Sequence, residues 1–432
     1  MKFAFNNRAF KIASDNSNEC NKDVAFIQTS QNRKYLKHAL QNRAHSVIDV
    51  KELAEDFGLD KIKIIAITGT NGKTTTASAI YSILLDLGYK TAMQGTRGFF
   101  VNDKKVEAKS LTTPSVMDTY RHIYQARSSG CEYFIMEVSS HAISQQRTEG
   151  IDFELKILTN ITQDHLDFHK TIEEYISVKN SFFQDDGKKL INKDEPKASF
   201  NPKNCFTYGI ENPATYRLIA YSLNNGLSAI IQHFEKTASF SSPLEGFFNL
   251  YNLLAAISAV SLVTNDTLQE ICDKVDNFAG VSGRMEVVWD EPKVIVDFAH
   301  TPDGMAQVLN ALKEKELIVV FGAGGDRDKL KRPIMGKIAS SLAKKIYLTS
   351  DNPRFEDPQD IIDDILKGMQ HQENIVVNLN RKEAITQALQ SRQNDEIVVI
   401  LGKGDEDYQI VYDKKFPLND KEIVTSYFKN DR

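Results

Sequence analysis

Lys73 lies in the run Gly69-Thr70-Asn71-Gly72-Lys73-Thr74-Thr75, in which small and amide residues precede a cation and two hydroxyls. The run follows the apolar segment Ile62-Lys63-Ile64-Ile65-Ala66 and leads into Ala77 to Leu87, whose apolar residues recur at helical spacing. A strand, a glycine turn and a helix N-terminus together form an anion cradle. Backbone N–H groups point inward, the helix dipole is positive there, and the Lys73 ammonium can reach a β/γ-phosphate oxygen. Thr74 stands where a hydroxyl coordinates Mg²⁺ in such loops. The usual phosphate loop has Gly where this chain has Ile67, so this is a variant of it. The expectation is a protein that handles a nucleoside triphosphate.

Four further constellations close strand-like runs. Glu137-Val138-Ser139-Ser140-His141 follows Tyr133-Phe134-Ile135-Met136; Glu137 can ligate Mg²⁺, and the hydroxyls with His141 can meet a substrate. Asn160-Ile161-Thr162-Gln163-Asp164-His165-Leu166-Asp167 follows Leu155 to Thr159 and suits a hard cation and phosphate oxygens. Such residues also cap helices, but two motifs beside a phosphate loop weaken that reading, because ligands gather at the C-terminal edge of a parallel sheet. In Asp297-Phe298-Ala299-His300-Thr301-Pro302-Asp303 the first carboxylate can accept from a ribose hydroxyl. Asp351-Asn352-Pro353-Arg354 and Gly402-Lys403-Gly404-Asp405-Glu406 combine both signs of charge. An arginine fork takes a carboxylate while acids hold an ammonium, which suits an amino acid. Alone, Asp-Asn-Pro-Arg reads as a turn.

The elements that must position these residues alternate β and α. The 432 residues imply two to four domains at roughly 100–200 residues each. Residues 1–61 form a small leading unit with strands near Lys2–Ile12 and Val24–Thr29 and a helix near Tyr35–Asn42. Residues 62–282 hold the phosphate loop and the apolar helix Leu250–Val263, and residues 283–432 a second open sheet. That sheet takes Val294–Asp297, Leu317–Phe321, Lys345–Leu348 and Ile397–Leu401 as strands, with helices at Met305–Leu312, Pro333–Leu342, Asp360–Met369 and Arg381–Gln390. The fold class is therefore α/β in three domains: a small N-terminal α/β module, a central P-loop parallel-sheet ATPase domain and a C-terminal Rossmann-like domain.

Composition excludes several classes. A net charge of -5, from 53 Lys+Arg against 58 Asp+Glu, argues against nucleic acid as the partner. No window approaches the ~18 apolar residues of a membrane span, and the first residues lack a signal peptide's apolar core. The scattered Cys20, Cys131, Cys205 and Cys272 have no metal spacing and read as reduced thiols. A cytoplasmic location is expected.

In order and spacing, the phosphate loop and the motifs beginning at Glu137, Asn160 and Asp297 resemble the Mur ligases, ATP-dependent amide-forming enzymes of peptidoglycan synthesis. Within that family the chain looks like the enzyme that adds a diamino acid to UDP-N-acetylmuramoyl-L-alanyl-D-glutamate. The resemblance implies Lys73, Glu137, His165 and Lys179 as catalytic residues, with Thr74, Glu137 and His165 on Mg²⁺. It adds Arg284, Asp297 and His300 to the phosphate loop as ATP contacts. Ser17, Thr112, Thr113, Ser139, Gln145, Arg147 and Lys179 would meet the nucleotide-sugar peptide. Arg332, Asp351, Asn352, Arg354, Gly402 and Glu406 would meet meso-diaminopimelate, Arg354 taking the distal carboxylate that lysine lacks. By itself Lys179 reads as a surface lysine on a helix from Ile172 to Phe183; in the family it is an N6-carboxylysine, a carbamate that acts like a carboxylate. A monomer is the expected state.

The chain also departs from the family. The leading unit is short and lacks an Asp-Gly-His motif between Thr29 and Lys51, leaving Ser14-Asp15-Asn16-Ser17 as the remnant of a uridine-contacting turn. Asp405 stands where relatives have His. The rival readings are the same ligation with L-lysine and a folylpolyglutamate-type synthetase on the same scaffold.

Overall fold

The structure, a computed structural model, describes residues 2–5, 8–108, 111–370, 373–393 and 395–430. The strand Lys63–Thr68 stands inside an eleven-stranded sheet. Its alternate residues serve two cores. Ile65 and Ile67 pack with the helices Lys73–Asp86 and Phe247–Val263, while Ile64 and Ala66 pack with the helix Val116–Ser128. Cover on both faces is why these strands read as continuous apolar runs rather than alternating ones. Lys63–Thr68 pairs in parallel with Leu155–Leu158 on one side and Tyr133–Glu137 on the other. Antiparallel strands extend the sheet at both ends, so only its middle is the parallel sheet that the sequence suggests. The helix Phe247–Val263 starts earlier than Leu250 and lies buried through most of its length.

The leading unit is a four-stranded sheet in which the expected single strand Lys2–Ile12 is two, Lys2–Ala4 and Ile12–Ser14, paired antiparallel. Phe5 and Phe10 explain the reversal. Both enter one apolar cluster with their rings 5.3 Å apart, and Phe5 N donates to Lys11 O. That cluster runs on into the central unit through Phe57, whose ring meets Tyr120 of Val116–Ser128 at 5.6 Å. A unit this small buries little surface alone, and sharing its core compensates.

The third sheet runs Glu286–Trp289, Val294–Asp297, Ile397–Leu401, Leu317–Phe321, Lys345–Leu348 and Ile375–Val377, antiparallel only at its first pair. Ile295, Val319 and Val399 face the helices Pro302–Ala311, Lys331–Leu342 and Pro358–Leu366. Val296, Ile318 and Val398 face Arg381–Ser391 and Asp420–Asn430. Pro302–Ala311 begins ahead of Met305 because the Thr301 side chain accepts from Gly304 N and Pro302 opens the first turn. Each site motif follows the C-terminal end of a strand in its sheet.

The last two helices are locked by Arg381 and Asp420, both fully buried, with Nε and Nη2 donating to the carboxylate at 2.8 and 2.7 Å. Removing one member leaves the other charge buried and alone. Arg381→Ala is expected to cost about 3–5 kcal/mol, read as a lowered denaturant midpoint; an unchanged midpoint contradicts this.

Candidate active site

The phosphate loop is shaped by its neighbours. Gly72 has φ +83° and caps the helix Lys73–Asp86 directly, and a Cβ there would run into Asn252 Oδ1. A Cβ at Gly69 would strike Thr159 Oγ1. Thr70 N donates to Asn160 O and Asn71 N to Asn160 Oδ1, each at 2.9 Å, while Asn160 Nδ2 and Thr159 Oγ1 both donate to Asn71 O. Thr162 N donates to Thr70 Oγ1 at 2.9 Å, and Tyr175 OH lies 2.8 Å from that oxygen. The Asn160 amide and Thr162 N are thus engaged in holding the loop, while Asp164 and His165 of the same segment make no hydrogen bond to it among the described residues. Lys73 Nζ donates to Gly69 O and Thr70 O at 2.8 and 2.9 Å. Burial lowers its affinity for a proton, against the pull of Glu137 and Asp164.

Glu137 is 2% exposed. Thr74 Oγ1 donates to its Oε2 at 3.0 Å, Thr96 N to Oε1 at 2.9 Å and Thr96 Oγ1 to Oε2 at 3.1 Å. Gly95 leaves the space its Oε1 occupies. Thr74 and Glu137 are therefore brought together, and their buried oxygen donors suit a hard cation. His165 is not joined to either by a hydrogen bond among the described residues. Its Nε2 stands 3.2 Å from Asp164 Oδ2, and burial, opposed by Asp164, pushes it down to about 3, so the ring is neutral.

A second connected group surrounds Thr113. Its Oγ1 donates to Glu137 O at 3.0 Å and accepts from Ser139 N, and Ser139 Oγ caps the next helix by accepting from Ala142 N. Arg147 Nη1 donates to Thr113 O at 2.8 Å, and its Nε and Nη2 donate to Gln145 Oε1. Thr112 meets Thr96 through their hydroxyls at 3.1 Å. Ser17 lies apart, in the leading unit, where its hydroxyl meets His38 Nδ1 at 3.0 Å beside a cleft of ≈ 770 Å³ that Asn32 and Tyr35 also line. Lys179 is 1% exposed, which overturns its reading as a surface residue. Its Nζ lies over the Tyr175 ring at 4.9 Å, and burial pushes it well below the ordinary lysine range.

Between the phosphate loop and the third sheet lies a cleft of ≈ 350 Å³ lined in part by Gly72, Thr75, Asn252, Arg284, Asp297 and Asp303. Asp297 is buried with its oxygens accepting from Met285 N and Ala299 N at 2.7 and 2.6 Å; burial pushes its carboxyl up. Arg284 stacks over Phe298 at 4.5 Å. His300 Nδ1 meets Phe298 O at 2.9 Å, and burial pushes the ring down to about 4. Asn71 Nδ2 donates to Asp303 Oδ2 at 2.7 Å, tying the loop to the third sheet. The sequence reading missed Thr96, Asn249 and Asn252. The last two, three residues apart in an otherwise apolar helix, were the available signal; Asn252 Nδ2 donates to Asn249 Oδ1.

The amino-acid motifs divide. Arg332 is fully buried, its Nη1 and Nη2 donating to both oxygens of Glu356, to Asp364 and to Gly324 O, while its buried Nε has no partner among the described residues. These bonds fix its guanidinium in the wall between the third-sheet helices. Arg354 has φ +53° and donates from Nη1 to Gly325 O and Asn352 O, its Nε and Nη2 meeting no acceptor among the described residues. Asp351 Oδ1 accepts from Asn352 N, and its buried Oδ2 has no partner. Gly402, at φ +112°, has no Cβ to crowd that oxygen, and its N donates to Asp297 O. Asn352 Nδ2 donates to Glu406 Oε2 at 3.1 Å.

Among the described residues, no carboxylate lies within 4.0 Å of the side-chain nitrogens of Lys73, Arg147, Lys179, Arg284, Lys331 or Arg354. A buried cation without a partner is costly, so this arrangement suits an anionic ligand. Asn160→Ala removes two hydrogen bonds from the phosphate loop and is expected to weaken binding of a non-hydrolysable ATP analogue about 10–100-fold; calorimetry checks it, and unchanged affinity contradicts the buttressing role. Because their folded-state proton affinities lie below that of free histidine, His165 and His300 stay neutral near pH 7. Their burial then favours the folded state above the unfolded value of about 6.5, a contribution lost as pH falls toward about 3 and about 4. An NMR titration of the imidazoles checks this, and midpoints near the free value contradict it.

Comparison with known proteins agrees with this geometry. The Mur ligase middle domain matches residues 67–260, and the Mur ligase glutamate ligase domain matches residues 283–404. The chain is 53% identical over 99% of its length, and 98% of the relative's, to the UDP-N-acetylmuramoyl-L-alanyl-D-glutamate--2,6-diaminopimelate ligase of Wolinella succinogenes. It is 50% identical to that of Helicobacter pylori, covering 99% and 97% of the two chains. A solved structure of a ligase of the same name superposes with a TM-score of 0.67 at 31% identity, covering 97% and 94%. A folylpolyglutamate synthase of Mycobacterium tuberculosis superposes equally well at 16% identity over 81% and 91% of the chains, a likeness of fold alone. The chain belongs to the Mur ligase family.

Proposed function

We propose that this enzyme joins meso-diaminopimelate to the γ-carboxyl of the D-glutamate in UDP-N-acetylmuramoyl-L-alanyl-D-glutamate, at the expense of ATP, in the cytoplasm and as a monomer. Residues 1–61 would take the uridine end, 62–282 the ATP and 283–432 the amino acid. The names of close relatives along nearly the whole chain support this reading. The observation that carries the choice of amino acid is Arg354, half-buried with Nε and Nη2 meeting no acceptor among the described residues, beside an unpartnered buried oxygen of Asp351. Lysine would leave that guanidinium unpaired.

A carboxylate is a poor electrophile; it is activated when its oxygen attacks the γ-phosphorus of ATP, forming an acyl phosphate as the bond to the β-phosphate oxygen breaks and ADP leaves. Lys73 exchanges its bonds to Gly69 O and Thr70 O for phosphate oxygens, and the amides of the loop spread the charge that develops. Thr74 and Glu137 would hold Mg²⁺, which when bound neutralises phosphate charge. The assignment of His165 to that ion has weaker support, since its nearest polar partner is Asp164. Burial disfavours the charged form of Lys179, and the free amine is the form able to take up carbon dioxide as a carbamate. Arg147, fixed by Thr113 O and Gln145, offers its charge to the peptide substrate. The free amine of the diamino acid then attacks the acyl phosphate and expels phosphate. The link Asn71–Asp303 holds the phosphate loop against the third domain, where the acyl phosphate would meet the amine.

Phosphate release measured with ATP, Mg²⁺ and the UDP-muramoyl dipeptide is expected with meso-diaminopimelate and not with L-lysine. Arg354→Ala is expected to lower kcat/KM for diaminopimelate about 10–100-fold. Turnover with lysine overturns the choice of amino acid, and turnover with neither overturns the function.

A further inference from the structure

Lys403 is fully buried inside the amino-acid pocket, and the site described so far gives it no role. Its Nζ donates to Glu406 Oε2 at 2.8 Å and to Asn352 Oδ1 at 3.2 Å, and it faces the Tyr408 ring at 5.8 Å. The same Glu406 oxygen also accepts from Asn352 Nδ2, and the same Asn352 oxygen from Ile410 N at 2.8 Å. Both are thereby fully used. These are the acceptors that an incoming side-chain ammonium would otherwise take. The pocket keeps Asp351 Oδ2 and Glu406 Oε1 as acceptors, with Arg354 Nε and Nη2 as donors. That set matches the distal end of diaminopimelate, which brings a carboxylate with its ammonium.

Resting on the proposed diaminopimelate-adding activity, we infer that Lys403 is a specificity-determining residue, a built-in ammonium that repels an unaccompanied side-chain ammonium such as that of lysine. Discrimination needs a repulsive element as well as an attractive one. Arg354 attracts the distal carboxylate, and Lys403 supplies the repulsion. A substrate with the carboxylate offsets Lys403 through its own negative charge; a substrate without it meets like charge.

The test compares kcat/KM for meso-diaminopimelate and L-lysine in the wild type, Lys403→Met, Lys403→Gln and Lys403→Arg. The neutral variants are expected to raise the lysine-to-diaminopimelate ratio at least about tenfold, a modest share of what a like-charge juxtaposition costs, while Lys403→Arg keeps the wild-type ratio. Loss of both substrates in equal proportion, with ATP-analogue binding intact, makes Lys403 merely structural and overturns the inference. Should the variants not fold, the wild type still decides. Norleucine, which is lysine without its ammonium, is expected to compete with diaminopimelate better than lysine does; lysine competing as well or better overturns the repulsion. A wild type inert with diaminopimelate sinks the underlying reading itself, an outcome distinct from an unchanged ratio.

Discussion

Burying an ammonium or guanidinium without a counter-charge is among the costliest things a protein can do, and this one does it repeatedly along one line of sheet edges. Lys331 is buried, Lys73 donates to two backbone carbonyls, and among the described residues Arg147, Arg284 and Arg354 meet carbonyls, an amide or a ring. The enzyme must bring a carboxylate against a triphosphate, anion against anion. Cations held in place but not neutralised by the protein's own acids are what makes that approach feasible. Elsewhere the chain pairs its buried charges well, as at Arg381–Asp420 and Arg332–Glu356. Lys189, away from the site, is also buried without an acid, but three backbone carbonyls (Asp185 O, Asn201 O and Lys203 O) accept its hydrogen bonds.

Holding such groups requires rigid neighbours, and the structure supplies them from adjoining strand ends. The segment Thr159 to Thr162 cradles the phosphate loop through backbone and side chain alike. Tyr175 supports both Thr70 and Lys179. Gly402 N on Asp297 O joins the amino-acid pocket to the nucleotide cleft, and Asn71 on Asp303 joins that cleft to the central sheet. Substrates that must react are thus served by one connected scaffold.

What the sequence revealed follows the range of each interaction. The phosphate loop was legible because strand, glycines and helix are contiguous, so local geometry already makes the cradle. Asp351 to Arg354 reads by itself as a turn, and only its likeness to the family drew attention to it. The duty of Asn160 was not legible, since an amide at a strand end looks the same whether it faces a ligand or a neighbouring loop. The acid partners of Arg332 were invisible for a related reason: Glu356 and Asp364 lie far along the chain and are brought to it only by packing. Burial of Lys179 was equally invisible, because its helix carries Glu173 and Glu174 and reads as solvated. The hairpin at the N-terminus depended on two phenylalanines meeting in a core supplied by another unit.

The most direct test of the account follows one atom. If the D-glutamate γ-carboxylate attacks ATP, a dipeptide substrate carrying heavy oxygen in that carboxylate must pass a heavy oxygen to the phosphate released during ligation. Mass spectrometry of the phosphate is predicted to show the label, one atom for each amide bond formed. Phosphate released without the label, while the amide forms, would contradict an acyl phosphate and with it the role given to the unpaired cations.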